Sequence, residues 1–159
     1  MQKIGNWNIY VGTKEEHQQA VSEGMKIVCA LNRASGFVTH QSVVGWSGRG
    51  CNKDNPHYLF KQTNNAIYLN MIDGDNPAYV NDDMVNSALS FIKSSLDNNE
   101  IVFIYCSLGE SRSPSIALMY LLENELIEKK NVITEFKSRY YNDYLPKRGN
   151  LEYIQNRWL

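Results

Sequence analysis

The sequence predicts an α/β fold in which a central, mostly parallel sheet of about four to five strands is flanked by helices. Short apolar runs of strand length alternate with segments that have the apolar spacing of helices, and turn residues separate them. The 159 residues correspond to one domain of ordinary size. We therefore expect residues 1–159 to form a single domain.

The first elements are a strand, a helix and a second strand. Residues 8–11 are typical of a short strand. Thr13 and Glu16 have the spacing of a capping box, which predicts a helix that ends near Gly24. The apolar run at residues 27–31 is short enough to be a buried strand.

A long connection at residues 32–56 shows no helical or strand pattern. Loops of this length in compact domains are usually functional or mobile, so we expect it to form part of a substrate-binding rim. Residues 58–60 and 66–71 follow as two extended segments. The polar and aromatic side chains that the connection and its end offer to the rim are Arg33, His40, Trp46, Arg49 and His57.

The C-terminal half alternates between helix and strand. Asn81 is a plausible N-cap for a helix whose apolar stripe ends at Ile92. Residues 101–105 are the most apolar five-residue run and predict the central strand. Pro114 stands in the first turn of the next helix, where its missing N–H costs nothing. Two further helical segments are predicted at residues 132–139 and 151–158.

Composition narrows the range of partners and locations. The 16 basic residues against 17 acidic ones give a net charge of −1, which provides no general attraction for nucleic acid or an anionic membrane. Cys29, Cys51 and Cys106 match no zinc or disulfide framework, and we find no signal peptide and no apolar stretch of membrane-spanning length. We expect a cytoplasmic monomer that binds neither nucleic acid nor membranes.

The strongest motif lies between the predicted central strand and the helix after it. Cys106 and Arg112 flank a short loop with Gly109 at its centre. Such a loop directs backbone N–H groups and the positive end of the helix dipole into one concavity, which favours an anion. The same field favours a cysteine thiolate, and an arginine in the first turn can bind two phosphate oxygens. The sequence therefore predicts a nucleophilic cysteine beneath a bound phosphoryl group.

The segment at residues 101–122, IVFIYCSLGESRSPSIALMYLL, resembles the active-site segment of the cysteine-dependent dual-specificity protein phosphatases, of the protein tyrosine phosphatase superfamily. Their signature is Cys-x-x-Gly-x-x-Arg followed by Ser or Thr, and the resemblance extends over nearly the whole chain. It implies that Cys106 attacks phosphorus, that Arg112 holds the phosphate, and that Ser113 assists breakdown of a phosphocysteine, without metal or cofactor. The substrate-binding loop would be Ser107, Leu108, Gly109, Glu110, Ser111 and Arg112.

Two residues depart from the expected pattern. Tyr105 stands where the family usually has a histidine that orders the loop, and a phenol carries no charge near pH 7. Glu110 places a carboxylate within the loop, where it would repel polyanions. We expect activity on a monophosphate rather than on highly phosphorylated inositides.

A general acid must protonate the leaving group, and it normally comes from an aspartate on a separate loop. Asp73 and Asp75 both follow the strand predicted at residues 66–71. In the resembled family the acid typically precedes the Phe-Ile pair of the next helix by sixteen residues, and 91 − 75 = 16 points to Asp75. Asp73 remains the alternative, and either residue can simply form the turn beside Gly74.

The function indicated is metal-independent hydrolysis of phosphomonoesters, with phosphotyrosine and phosphoserine or phosphothreonine proteins as substrates. A nucleotide or other small-molecule phosphatase on the same fold is the first alternative. A catalytically silent phosphate-binding module is the second, supported only by Tyr105. Low-molecular-weight phosphatases and arsenate reductases share the Cys-x5-Arg spacing, but their motif lies at the N-terminus.

Overall fold

The computed structural model describes residues 1–32 and 53–159. Over these residues the chain forms a six-stranded sheet with the order β1-β2-β6-β3-β5-β4. The four inner strands run parallel, and β1 and β4 pair antiparallel at the two edges. The strands are β1 (Gln2–Lys3), β2 (Ile9–Thr13), β3 (Lys26–Cys29), β4 (Phe60–Gln62), β5 (Ala66–Leu69) and β6 (Val102–Cys106).

Helices follow or separate these strands. One turn of 3-10 helix (Lys14–Glu16) leads into the first α-helix, and a second (Pro77–Tyr79) follows β5. A π-helical turn (Phe136–Tyr140) extends the fourth α-helix. Within residues 1–32 and 53–159 the α-helices are α1 (His17–Ser22), α2 (Asp82–Asp97), α3 (Arg112–Glu123), α4 (Val132–Glu135) and α5 (Arg148–Trp158).

The predicted α/β fold with a mostly parallel sheet is confirmed. The strand count of six exceeds the expected four to five because β1 has only two residues, too few for any periodicity to reveal. Asn81 caps α2 as predicted, since its side chain accepts a hydrogen bond of 3.1 Å from the backbone N–H of Met84. Gly24 follows α1 with φ of +75°, the left-handed conformation expected at a helix end.

The centre of the sheet is β6, which is buried along its whole length between helices. Its parallel neighbours bring their carboxyl ends to the same edge, where Thr13 of β2 pairs with Cys106 and Cys29 of β3 pairs with Tyr105. Beyond β5 the chain stays at this edge, since the N–H of Met71 donates to the carbonyl of Leu31 at 3.1 Å. Loops after parallel strands gather at such an edge, so the fold places the Cys106 loop and the Asp73–Asp75 segment together.

Helix α3 is apolar on almost all sides, and eleven of its residues are buried. It therefore lies inside the molecule, and its N-terminus points at the loop after β6 from a fixed position. None of the helices in the described part of the chain is long and apolar enough to cross a membrane.

Candidate active site

Residues 107–111 form a tight loop between β6 and α3, with Cys106 at its base and only 2% exposed. Gly109 has φ of +71°, and a Cβ there would lie 3.1 Å from the carbonyl oxygen of Gly12. Both observations require glycine at the centre of the loop. The loop therefore lies close against the end of β2, as the motif predicts.

The outer side of the loop is held by a segment that precedes α5. Tyr141 donates from its hydroxyl to the carbonyl of Gly109 at 2.7 Å, and the N–H of Leu145 donates to the carbonyl of Glu110 at 2.8 Å. In a trans peptide the carbonyl and the next N–H point in opposite directions, so the amides of Glu110 and Ser111 point away from this segment. They face the interior of the loop, where an anion can accept from them.

Burial raises the pKa of Tyr141 to about 12, and the charges of Asp143, Cys106 and Glu110 add to the rise. The phenol therefore stays protonated at neutral pH and remains a donor to Gly109. The sequence does not indicate this contact, because no local pattern links Tyr141 to a loop 32 positions earlier.

Ser113 lies directly beneath the nucleophile. The Cys106 Sγ and Ser113 Oγ atoms are 3.1 Å apart, and the same hydroxyl lies 3.3 Å from the carbonyl oxygen of Gly12. A serine hydroxyl has a single proton, so it can donate either to the sulfur or to the carbonyl. The structure thus brings the predicted nucleophile and the predicted hydroxyl into hydrogen-bond distance.

Arg112 is buried at the first position of α3. Its Nη1 donates to the carbonyl of Met71 and its Nη2 to the Ser107 hydroxyl, each at 3.3 Å. These contacts position the guanidinium between the end of β5 and the loop. A planar guanidinium held in this way can bind two oxygens of a tetrahedral anion.

Tyr105 is buried in a row of rings rather than turned into the loop. Its ring stacks on Phe103 with centroids 5.7 Å apart and packs against His17 at 5.1 Å. Burial lowers the pKa of His17, which keeps this imidazole neutral beside the aromatic ring at neutral pH. The tyrosine that replaces the expected histidine is thus part of the core.

The two candidates for the general acid, Asp73 and Asp75, lie in different environments. Asp73 faces the loop, where its Oδ1 accepts from the Ser111 hydroxyl at 2.7 Å and from the Asn150 amide at 2.9 Å. Asp75 is exposed and is not among the residues that line the cavity above Cys106. Its charge contributes instead, after the hydrogen bond and charge of Glu152, to raising the pKa of exposed Arg148. The geometry favours Asp73, whereas the spacing rule pointed to Asp75.

Asn150 is a site residue that the sequence did not indicate. It is 1% exposed, and its amide also donates to the Ser111 hydroxyl at 3.0 Å. The neighbouring Gly149 donates its N–H to the carbonyl of Gly74 at 3.0 Å. The start of α5 therefore contacts both the loop after β5 that carries Asp73, here called the acid loop, and residues 107–111, here called the phosphate loop.

A cavity of about 660 Å³ opens above Cys106. It contains the predicted loop residues except Gly109, together with side chains from α4, the π-helical turn and α5. Its lining consists of Asp73, Cys106, Ser107, Leu108, Glu110, Ser111, Arg112, Ile133, Lys137, Tyr144, Leu145, Pro146, Lys147 and Leu151. Within residues 1–32 and 53–159, no three His, Cys, Asp or Glu side chains cluster so as to hold a metal ion.

The structure tests only one of the rim candidates from the long connection. Arg33, His40, Trp46 and Arg49 lie outside the described residues. His57 is described, but its ring Nε2 lies 3.4 Å from the Lys61 ammonium and it does not line the cavity. Their proposed contribution to substrate binding stays a prediction.

Comparison with known proteins agrees with this geometry. The family model of the dual specificity phosphatase catalytic domain matches residues 9–149. No curated protein matches the sequence significantly.

The fold resembles solved phosphatase structures at low sequence identity. Human tyrosine phosphatase-like serine/threonine/tyrosine-interacting protein is 17% identical, with TM-score 0.66 over 98% of this chain and 93% of that one. The PTP-2 phosphatase of Cydia pomonella is 14% identical, with TM-score 0.66 over 98% and 88%. PTPMT1 in complex with PI(5)P is 12% identical, with TM-score 0.54 over 96% and 86%.

Proposed function

Because the chain belongs to the family of dual specificity phosphatase catalytic domains, we propose that it hydrolyses phosphomonoesters of proteins through a phosphocysteine on Cys106. The observation that carries the proposal is the contact of 3.1 Å between Cys106 Sγ and Ser113 Oγ at the base of a loop closed by Arg112. A thiolate there receives a hydrogen bond and the positive end of the α3 dipole.

In the first step the Cys106 sulfur attacks phosphorus, the S–P bond forms, and the bond from phosphorus to the leaving oxygen breaks. Arg112 and the amides of the loop bind the non-bridging oxygens, where charge accumulates. Asp73 gives its proton to the leaving oxygen. Two donors already occupy Asp73 Oδ1, which leaves Oδ2 as the oxygen to meet the leaving group.

In the second step a water molecule attacks phosphorus and the S–P bond breaks. Asp73, now a carboxylate, takes the proton from the water, and Ser113 donates its hydrogen bond to the departing thiolate. The enzyme returns to its starting state, and inorganic phosphate leaves. No step of this cycle requires a metal ion or cofactor.

Hydrolysis of a small aryl phosphate in the presence of EDTA tests the proposal. We expect turnover by the wild-type protein and none by Cys106→Ser, with unchanged thermal unfolding of the variant to show that it is folded. Turnover by Cys106→Ser, or strict dependence on added metal, would contradict the mechanism. Phosphate binding without turnover by the wild type would support the silent binding module instead.

The chemical step does not determine the class of substrate. The fold is shared with PTPMT1, which has been crystallised with PI(5)P, so phosphoinositides join nucleotides as alternative substrates. The carboxylate of Glu110 in the loop argues for a substrate with few phosphates. Matched concentrations of phosphopeptides, nucleotides and phosphoinositides would rank the classes by kcat/KM, and we expect a phosphopeptide to rank first.

A further inference from the structure

The cavity above Cys106 is far larger than a phosphoryl group. Its volume of about 660 Å³ equals that of about twenty water molecules at roughly 30 Å³ each. A phosphate held by the loop and Arg112 would occupy only the part of the cavity beside them. The remaining space must accept the leaving group and whatever is attached to it, so its lining selects the substrate.

The lining of the cavity includes two exposed apolar side chains. Leu108 is 72% exposed and Leu145 is 56% exposed, so both side chains are accessible to a ligand in the cavity. The hydrogen bond from the Leu145 N–H to the Glu110 carbonyl holds Leu145 at a fixed position relative to the loop that carries Leu108. Two apolar side chains in a fixed arrangement suit the faces of an aromatic ring, such as that of phosphotyrosine.

The lining of the cavity also includes two lysines. Lys137 lies on the π-helical turn and Lys147 directly precedes α5, and both are exposed. Among the residues that the structure describes, neither ammonium group forms an ion pair or a hydrogen bond. Surface lysines of this kind are available to a ligand.

Some charged residues of the lining act on the phosphate, and the others can contact the rest of the substrate. The cavity has the cations Arg112, Lys137 and Lys147 against the carboxylates Asp73 and Glu110. In the mechanism proposed above, Arg112, Cys106 and Asp73 all act on the phosphoryl group. Among the remaining charged residues of the lining, Lys137 and Lys147 are opposed by Glu110 alone, so this part of the cavity has one more cation than carboxylate.

We propose that Lys137 and Lys147 form a subsite for a carboxylate next to the phosphorylated residue, so that the preferred substrate is a phosphotyrosyl peptide with an acidic neighbour. The inference rests on the proposed phosphatase function and specifies its substrate. A peptide is favoured over a lipid surface because recognition of anionic membranes uses clusters of about four to eight basic residues. The cavity offers two lysines, in a chain of net charge −1.

The test uses two phosphotyrosyl peptides that differ only in whether glutamate or lysine flanks the phosphotyrosine. Binding is measured to the Cys106→Ser protein, which is expected to retain the cavity without turnover, and kcat/KM is measured on the otherwise unchanged chain. Lys137→Met and Lys147→Met, each combined with these backgrounds, should weaken binding of the glutamate peptide by about 1.4- to five-fold, the range of exposed ion pairs. Binding of the lysine peptide should not weaken.

Lys93→Met is the matched control, since Lys93 is an exposed lysine of α2 that pairs with Asp97 and does not line the cavity. We expect it to leave the ratio of the two peptides unchanged. Added salt should reduce the preference for the glutamate peptide, because exposed charge interactions are screened.

Equal binding of the two peptides by the Cys106→Ser protein would overturn the subsite, as would a preference that survives both lysine substitutions. Loss of activity on PI(5)P vesicles in the lysine variants, with no change on either peptide, would overturn it in favour of a lipid. Absence of turnover by the otherwise unchanged chain, with the peptide preference still present in binding, would contradict the proposed function and leave the subsite supported.

Discussion

The Ser111 hydroxyl donates a hydrogen bond of 2.7 Å to Asp73 Oδ1, and this contact joins the phosphate loop to the loop after β5. The Asn150 amide reaches both partners, at 2.9 Å from Asp73 and 3.0 Å from Ser111. The backbone N–H of Lys147 adds a fourth contact, to the Ser111 hydroxyl at 2.9 Å. Asp73 is therefore held at a fixed position relative to the nucleophile, as a general acid requires.

Asp73→Asn should slow turnover of a substrate with a poor leaving group, such as an alkyl phosphate. Loss of general acid catalysis typically costs about 10²- to 10⁴-fold in rate. A substrate with a good leaving group should be affected far less, because it needs no proton. The ratio of kcat on the two substrates measures the role of the carboxylate directly.

Asp75→Asn is the matched control, as the same change is made two residues away on an exposed side chain. We expect it to alter kcat by less than Asp73→Asn on both substrates. If the Asp75 variant alone loses activity on the poor leaving group, the spacing rule is right and our placement of the acid is wrong.

Gly149→Ala should disturb the acid loop from the opposite side. A Cβ at this position would lie 2.5 Å from the carbonyl oxygen of Gly74 and 2.9 Å from that of Asn76, and backbone atoms cannot move aside without displacing the loop. We expect a loss of about 1–3 kcal/mol in the free energy of unfolding together with a fall in kcat. Urea denaturation and steady-state kinetics on the same preparation measure the two effects.

Gly74→Ala provides the comparison within the same loop. A Cβ there would meet nothing closer than 3.6 Å, an ordinary contact with the Tyr79 ring. Its stability and kcat should stay close to those of the wild type. A similar loss in both variants would mean that the loop is sensitive to any added methyl group, and the close approach at Gly149 would not be the cause.

The sequence predicted the part of the site that is local in the chain. Cys106, Arg112 and Ser113 lie within eight residues, and the strand and helix on either side force them around one concavity. Their arrangement follows from the order of elements, and the 3.1 Å contact between the thiol and the hydroxyl agrees with it. For this segment, the local sequence pattern and backbone geometry are sufficient to predict which side chains come together.

The acid could not be placed in the same way. Asp73 and Asp75 stand on either side of Gly74, and spacing along one segment does not determine which carboxylate turns inward. The Asn150 amide holds the Asp73 carboxylate against the phosphate loop, and this hydrogen bond joins residues 77 positions apart. A contact of that separation depends on how α5 packs, which no local pattern encodes. The sequence could not predict the aromatic environment of Tyr105 for the same reason, since His17 comes from α1.

Ser113→Ala should slow the second chemical step more than the first. The hydroxyl lies 3.1 Å from the sulfur, and a hydrogen bond to a charged group contributes about 1.5–3 kcal/mol, so the breakdown of the phosphocysteine should slow by about 10- to 100-fold. Stopped-flow measurements with an aryl phosphate should then show a burst of released phenol followed by slow turnover.

Ser115→Ala is the control for that substitution. Ser115 is also a buried serine of α3, but its hydroxyl contacts the Tyr144 hydroxyl at 3.0 Å instead of the sulfur. It should lower stability without producing a burst. A burst of equal size in both variants would show that the effect comes from helix α3 as a whole.

The free energy of unfolding should fall as the pH rises from 10 to 12. In the folded state burial raises the pKa of Tyr141 to about 12, above the ordinary value of 10 that applies once the chain unfolds. The phenol is neutral in both states below pH 10, and above it the unfolded state loses its proton first, so stability is lost across this interval. One such group contributes at most about 1.4 kcal/mol per pH unit.

Burial likewise raises the pKa of Tyr153 to about 12, so the wild-type slope sums several tyrosines. Tyr141→Phe should reduce the slope and, through the lost hydrogen bond to Gly109, lower the stability at pH 8 by about 0.5–1.5 kcal/mol. Exposed Tyr79→Phe should change neither quantity. An unchanged alkaline slope in Tyr141→Phe would show that this phenol does not carry the pH dependence.

Covalent labelling of Cys106 during turnover tests the central claim most directly. The protein is mixed with a phosphotyrosyl peptide in the presence of EDTA, quenched by denaturation within the first turnover, and digested for mass spectrometry. The Ser113→Ala background should increase the yield, because it slows breakdown of the intermediate. We predict one phosphoryl group on the peptide that contains Cys106 and none in Cys106→Ser. Turnover without any phosphoryl group on Cys106, or a label on another residue, would contradict the account.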